Sequence, residues 1–184
     1  MIALASNVTK TAIIFGGKGT DLIRGGSGSN IIVGGDGADL IVGGSSRDLL
    51  IGGKGTDVII GNANDDVLVA GYTSYDNDPV ALKAILAEWT RTGVGHEVAV
   101  RVNNLKDPAG AGTDRLNGGY FLNYESTRAD DVVTVWDDGN LDILTGNAGT
   151  DWFLFNKDTG VRDWVTDLNS VESQYAADLD RLNI

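Results

Sequence analysis

Cysteine is absent from this 184-residue chain, so no disulfide is available to support it in an oxidising compartment. Histidine is almost absent. His96 stands alone, and His96-Glu97 continues as Val98-Ala99-Val100, which omits the second histidine of a zinc-protease helix. A single histidine in a charged loop reads as ordinary surface. No Gly-x-Ser-x-Gly elbow occurs to raise a nucleophile, and Gly52-Gly53-Lys54 lacks the spacing of a phosphate-cradling loop. The carboxylate pairs Asp65-Asp66, Asp130-Asp131 and Asp137-Asp138 are adjacent in turns, where one member faces solvent, a poor arrangement for acid–base chemistry. The expectation is that the chain is not an enzyme. Basic residues are also few: 14 Lys and Arg stand against 26 Asp and Glu, for a net charge of -12 and a pI near 4.3. That balance excludes nucleic acid and anionic membrane as partners. No run of eighteen apolar residues exists to insert into a membrane as a helix.

Glycine and aspartate, by contrast, are abundant and periodic. Residues 16–69 divide into six consecutive nine-residue units: GGKGTDLIR, GGSGSNIIV, GGDGADLIV, GGSSRDLLI, GGKGTDVII and GNANDDVLV. Self-similarity at a fixed period marks a repeat architecture in which each unit buries its apolar face only against its neighbours. Each unit opens with glycines, which reach positive φ without steric cost and let a turn aim its carbonyls at one point. Position six then adds a carboxylate. Calcium takes six to eight oxygens in flexible geometry, so carbonyls plus carboxylates suit it, whereas magnesium dehydrates too reluctantly.

These units resemble the RTX nonapeptide repeat of calcium-binding β-rolls secreted by bacteria. The resemblance implies an all-β-dominated fold, a right-handed parallel β-roll with two nonapeptides per coil, and Ca2+ held between turns eighteen residues apart. Carried over residue by residue, it assigns one side of the roll to Gly16, Gly17, Gly19 and Asp21, to Gly34, Gly35, Gly37 and Asp39, and to Gly52, Gly53, Gly55 and Asp57. The other side receives Asn30, Asp48 and Asp66. Asn30 is neutral, Ser46 replaces a glycine, and the sixth unit keeps only its first glycine. Full calcium sites are therefore expected between the turns of Asp21 and Asp39 and of Asp39 and Asp57, with weaker sites opposite.

The remaining three residues of each unit form a short strand. In the β-roll the eighth position points inward, and here it is Ile23, Ile32, Ile41, Leu50, Ile59 and Leu68. The seventh and ninth positions point outward yet are apolar in every unit, with Arg24 the single charge. Both outer faces thus need cover, from the rest of this chain or from another copy.

Residues 7–69 are read as the roll, with Ala12, Ile13, Ile14 and Phe15 as its first strand. Residues 70–127 are read as a helical insertion packing on the roll. Asp78-Pro79 begins a helix, with Asp78 as N-cap and proline in the first turn. The helix is expected to run to Thr92 with Val80, Ala84 and Trp89 on its apolar stripe, near Leu82, Ile85 and Leu86. A second helix is expected from Val94 through Val98 and Val102 to Leu105, with a strand as the alternative and Pro108 as the stop. Residues 128–184 are read as resumed repeats with a capping segment. A strand at residues 131–136 precedes DDGNLDILT and GNAGTDWFL, which restore the nine-residue spacing and put Asp142 and Asp151 at position six. Trp152, Phe153, Phe155 and Trp164 are expected to cap the open end. Whether Asp142, Asp163 and Asp167 hold calcium or are solvated turn carboxylates stays open.

The first ten residues lack the pattern of a secretory signal peptide. The resemblance implies instead export in one step through a signal near the C-terminus, which DLDRLNI at residues 178–184 loosely resembles. The functional expectation is a secreted, extracellular or cell-surface protein that folds on external Ca2+ and serves a structural, self-assembling role, as a surface-layer or filament subunit. Contacts between copies would use the apolar faces or the roll ends. The alternative is a calcium-dependent folding and export module of a larger secreted enzyme or adhesin.

Overall fold

Each nonapeptide supplies only three residues that favour extended backbone, so the strands are short and the turns carry as many residues as the strands do. The computed structural model of the chain describes residues 1–106, 108, 112–125, 132–157 and 160–179. In chain order the elements are β1 (Ile2–Ala3), β2 (Ala12–Lys18), β3 (Leu22–Arg24), β4 (Asn30–Asp36), β5 (Leu40–Val42), β6 (Leu49–Lys54), β7 (Val58–Ala63), β8 (Val67–Val69), β9 (Tyr72–Thr73), α1 (Pro79–Trp89) and α2 (Val98–Lys106). They continue as β10 (Val135–Trp136), β11 (Ile143–Ala148), β12 (Trp152–Phe155), β13 (Trp164–Val165) and β14 (Ala177–Asp178).

Two large parallel sheets result, a β-roll-like arrangement with two helices. The first has the order β1-β3-β5-β7-β11-β13 and the second β2-β4-β6-β8-β12-β14, so successive strands of the repeat alternate between sheets. Equivalent positions stack in register: Leu22, Leu40, Val58, Ile143 and Trp164 lie side by side in the first sheet. Parallel pairing of this kind needs a crossover, and here the opposite sheet is the crossover. The eighth-position residues Ile23, Ile32, Ile41, Leu50, Ile59 and Leu68 are all fully buried between the sheets, together with Leu144, Phe153 and Phe155.

Between β8 and β11 the chain leaves the sheets. The roll then resumes without loss of register, because Val58 pairs with Ile143 and Val67 with Trp152. The expected strand at 131–136 is reduced among the described residues to β10, which pairs antiparallel with β9 outside both large sheets. Asp131 lies outside the described residues. Helix α1 starts as expected: Asp78 Oδ1 accepts from the amides of Val80 (2.9 Å) and Ala81 (3.1 Å), with Pro79 in the first turn. Its buried face differs. Ala81, Leu82, Ile85, Leu86 and Trp89 face inward, while Val80 is 67% exposed. PVALKAILAEW is apolar on nearly every side, so its period does not choose the face; packing on the sheet does. The second helix forms, but it begins at Val98, because Gly93 and Gly95 at positive φ hold the preceding residues in turns and leave Val94 exposed.

Both helices lie against the outer face of the second sheet. Ile31, Val33, Leu49, Ile51, Val67, Val69, Trp152 and Leu154 form one buried cluster with Leu82, Ile85, Leu86, Trp89, Val102 and Leu105. Trp152 therefore does not cap the open end as expected. It faces outward under the helices, its ring 6.0 Å from that of Trp89. Trp164 is no cap either: it stands 63% exposed on the first sheet. Phe153 and Phe155 do fill the interior near Val165, Leu168 and Ala176.

Candidate metal centres in the stacked turns

Strand parity fixes where the turns fall. Turns 16–21, 34–39 and 52–57 lead from the second sheet to the first and make one side, joined there by turn 137–142, which enters the first sheet from β10; turns 25–30, 43–48, 61–66 and 146–151 lead from the first sheet to the second and make the other. Position six of each turn becomes one rung of a ladder. On the first side the amide of Asp21 donates to Asp39 Oδ1 (2.7 Å), Asp39 to Asp57 Oδ1 (2.8 Å), Asp57 to Asp142 Oδ1 (2.6 Å) and Asp142 to Asp163 Oδ1 (2.9 Å). On the second side Asn30 donates to Asp48 Oδ1 (2.5 Å), Asp48 to Asp66 Oδ1 (2.7 Å), Asp66 to Asp151 Oδ1 (2.7 Å) and Asp151 to Glu172 Oε1 (3.4 Å). The turns thus bring together every position-six residue that the repeat nominates. Asp163 and Glu172 extend the columns although the nonapeptide spacing has lapsed there, so period alone does not find them.

One oxygen per carboxylate is satisfied by this ladder. The other is not: Oδ2 of Asp39, Asp57, Asp142, Asp66 and Asp151 is buried without a hydrogen-bond partner. A buried carboxylate oxygen left unpaired is costly unless a cation meets it. Burial pushes the Asp57 carboxyl up to about 7, helped by the charges of Asp39 and Asp138. Burial likewise lifts Asp142 to about 9 and Asp66 to about 10, with neighbouring carboxylates adding to both. Asp151 rises to about 7 and Asp39 rises as well, burial again leading. Repulsion within each column is what bound positive charge would relieve.

The turn backbone suits a hard cation. Gly17, Gly19, Gly35, Gly37, Gly53 and Gly55 all adopt positive φ on the first side, at positions two and four. The turns also approach too closely for a side chain: a Cβ on Gly35 would run into the carbonyl oxygen of Gly17, and one on Gly53 into that of Gly35. At the first glycines Gly16, Gly34 and Gly52, a Cβ would meet both a carbonyl of the next coil and the position-six carboxylate of its own turn. Among the described residues no group of three or more His, Asp or Glu side chains converges on one point. An ion here would therefore take most of its oxygens from backbone carbonyls and few from carboxylates, as calcium accepts. The residues fit Ca2+ on this chemistry.

The second side is less uniform. Turns 25–30 and 43–48 have no residue at positive φ, whereas turns 61–66 and 146–151 repeat the first side's pattern through Asn62 (φ 85), Asn64 (φ 70), Asn147 (φ 69) and Gly149 (φ 147). Asparagine is the residue that best substitutes for glycine in this region. Turn 61–66 is also clamped by a charged cluster that no repeat signals. Asp65 Oδ2 accepts from Arg101 of α2 (2.6 Å) and pairs with Arg47 (2.9 Å), Asp65 Oδ1 accepts from the Thr150 amide (3.0 Å), and its carbonyl accepts from Trp89 Nε1 (2.7 Å). Burial acts to raise the Asp65 carboxyl, but the Arg101 hydrogen bond and the two guanidinium charges outweigh it and hold it below the ordinary range. His96 sits apart, with Nε2 3.0 Å from the Arg91 guanidinium.

No curated protein and no solved structure matches the chain. Two overlapping segments, residues 15–50 and 42–71, do have a counterpart, and they contain the first three turns of each column. Residues 15–71 match the RTX calcium-binding nonapeptide repeat family (4 copies).

Proposed function

We propose that this is a secreted RTX-type protein that folds on extracellular Ca2+ and then serves as a structural subunit that associates with further copies of itself. The observation that carries the reading is the pair of columns in which Asp39, Asp57, Asp142, Asp66 and Asp151 each have one paired and one unpaired buried oxygen. Calcium, when bound, supplies the positive charge that lets these carboxylates ionise in place. Asp21, Asp39 and Asp57, with the carbonyls of Gly16, Gly17, Gly19, Gly34, Gly35, Gly37, Gly52, Gly53 and Gly55, would hold the ions of the first side; Asp142 extends the set, and Asp66 and Asp151 belong to the opposite side. Residues 7–69 and the resumed repeats within 128–184 then form the calcium-dependent part, and 70–127 the insertion that covers one sheet.

Calcium sites of extracellular modules bind at about 10⁻⁴ to 10⁻³ M, so the chain would stay unfolded at cytosolic calcium and fold after release. A circular-dichroism titration tests this directly. Strand content should rise cooperatively between excess chelator and millimolar calcium; equal content at both ends defeats the reading. Sedimentation of the loaded protein tests the structural role. A species that remains monomeric at every concentration would leave the folding-and-export module of a larger protein as the function.

A further inference from the structure

We infer that the side-chain amide of Asn30 takes the place of a calcium ion between turns 25–30 and 43–48, so that this gap of the roll is metal-free. The inference rests on the calcium reading of the other gaps.

In units with Asp at position six, the Oδ2 atom packs against the first glycine of its own turn: it is 2.5 Å from a Cβ placed on Gly34 and 2.6 Å from one on Gly52. In unit 25–30 the atom in that place is Asn30 Nδ2, 2.6 Å from a Cβ on Gly25 and 3.0 Å from one on Gly44 of the next coil. A donor thus stands where the other units aim an acceptor. Its partners are oxygens of both turns: Nδ2 donates to the carbonyls of Gly28 (2.7 Å) and Gly26 (3.3 Å) and to Asp48 Oδ1 (3.0 Å). The amide's orientation is fixed by those partners, since its Oδ1 accepts from the Gly26 amide (3.3 Å).

Asp48 completes the contrast. Its Oδ1 accepts from Asn30, its Oδ2 accepts from the Gly44 amide (2.5 Å), and it is missing from the carboxylates with an unpaired buried oxygen. Ser46, which replaces a glycine, donates its hydroxyl to the Ser27 carbonyl (2.7 Å) and consumes another oxygen of the gap. Positive φ is also absent from both turns, so their backbone does not take the form that turns 34–39 and 52–57 share. Turns 61–66 and 146–151 do take that form and keep unpaired oxygens on Asp66 and Asp151. The second side accordingly holds its ion there, across the helical insertion, although the sixth unit has lost two glycines.

A crystallographic map of the wild-type protein in millimolar calcium should show ions between turns 34–39 and 52–57 and between 61–66 and 146–151, and none between 25–30 and 43–48. An ion in this last gap, with ions elsewhere, overturns the inference and leaves the calcium reading standing; no ion in any gap ends both. The complementary variant is Asn30→Asp, which returns a bare oxygen to the cage of carbonyls. By native mass spectrometry in calcium it should carry one ion more than wild type. An unchanged ion count overturns the assignment. If Asn30→Asp fails to fold even in calcium, the wild-type map decides.

Discussion

At the scale of single residues, the chemistry lies in carboxylates whose two oxygens have different fates. Folding without calcium buries Asp57, Asp142, Asp66 and Asp151, and burial, with neighbouring carboxylates adding to it, raises their proton affinity, to about 7 for Asp57 and Asp151 and higher for the other two. A carboxyl whose folded pKa is raised binds more protons folded than unfolded. Its stabilising contribution is complete below the ordinary value of 3.8 and is lost as pH rises through about 7 and beyond. In chelator, residual strand content by circular dichroism should be higher at pH 5 than at pH 8, and calcium should bind more weakly at pH 5 because protons compete for the same oxygens. Equal residual content at both values would mean that protonation does not help to close the columns. Asp57→Asn goes further, since it puts an amide where Asn30 already has one. It should remove one calcium from the loaded protein and favour the ion-free fold at pH 8 by on the order of 1–2 kcal/mol, after allowance for screening of a raised carboxyl, which raises the residual strand content in chelator. Calorimetric titration and circular dichroism in chelator measure the two effects independently.

At the scale of elements, the helical insertion is tied to the roll by Arg101. The residue is 1% exposed, and its guanidinium donates to Asp65 Oδ2 and the Trp89 carbonyl and lies 4.5 Å over the Trp89 ring. Removing one partner of a buried pair costs about 3–5 kcal/mol because the other is left uncompensated. Arg101→Ala should therefore loosen α1 and α2 from the second sheet, and hydrogen exchange should show their amides losing protection before those of β4 and β6. Uniform loss across roll and helices would place Arg101 within a single cooperative unit instead. None of this clamp is legible in the nonapeptides, since Arg47 and Asp65 occupy position five, which the repeat leaves free. What is legible follows from local chemistry: the eighth-position core, the Asp78 cap and the resumption at Asp142 each need only spacing and residue type. Trp152 was legible as well, because it stands at the outward seventh position of its unit. The face of α1 was not, since an almost wholly apolar helix takes its orientation from the sheet it meets.

At the scale of the whole molecule, the two sheets end up unequal. The second is covered by α1 and α2, while the first keeps Leu22 (42% exposed), Leu40 (37%) and Trp164 (63%) in one register row with the half-buried Val58 and Ile143. Five strands at the usual spacing make that row about 19 Å long, and a width of three residues gives on the order of 200–300 Å². A stable pairwise interface buries about 800 Å² per partner, so this row alone cannot hold a dimer. It can contribute to an assembly in which each copy makes several weak contacts at once. Charge sets the condition: a net charge of -12 repels copies of the ion-free chain, and each bound calcium removes two units of it. Association should therefore need calcium twice, to form the face and to discharge it, and should rise steeply with protein concentration. Leu40→Glu places a carboxylate within the row, at an exposed strand position outside the turn glycines and position-six carboxylates. Its calcium titration by circular dichroism should match that of wild type, while sedimentation in calcium should show the larger species gone. If the variant still assembles, the contact belongs to the roll ends, where among the described residues β2 is an edge strand of seven residues and the two-residue strands β13 and β14 lie at the other end.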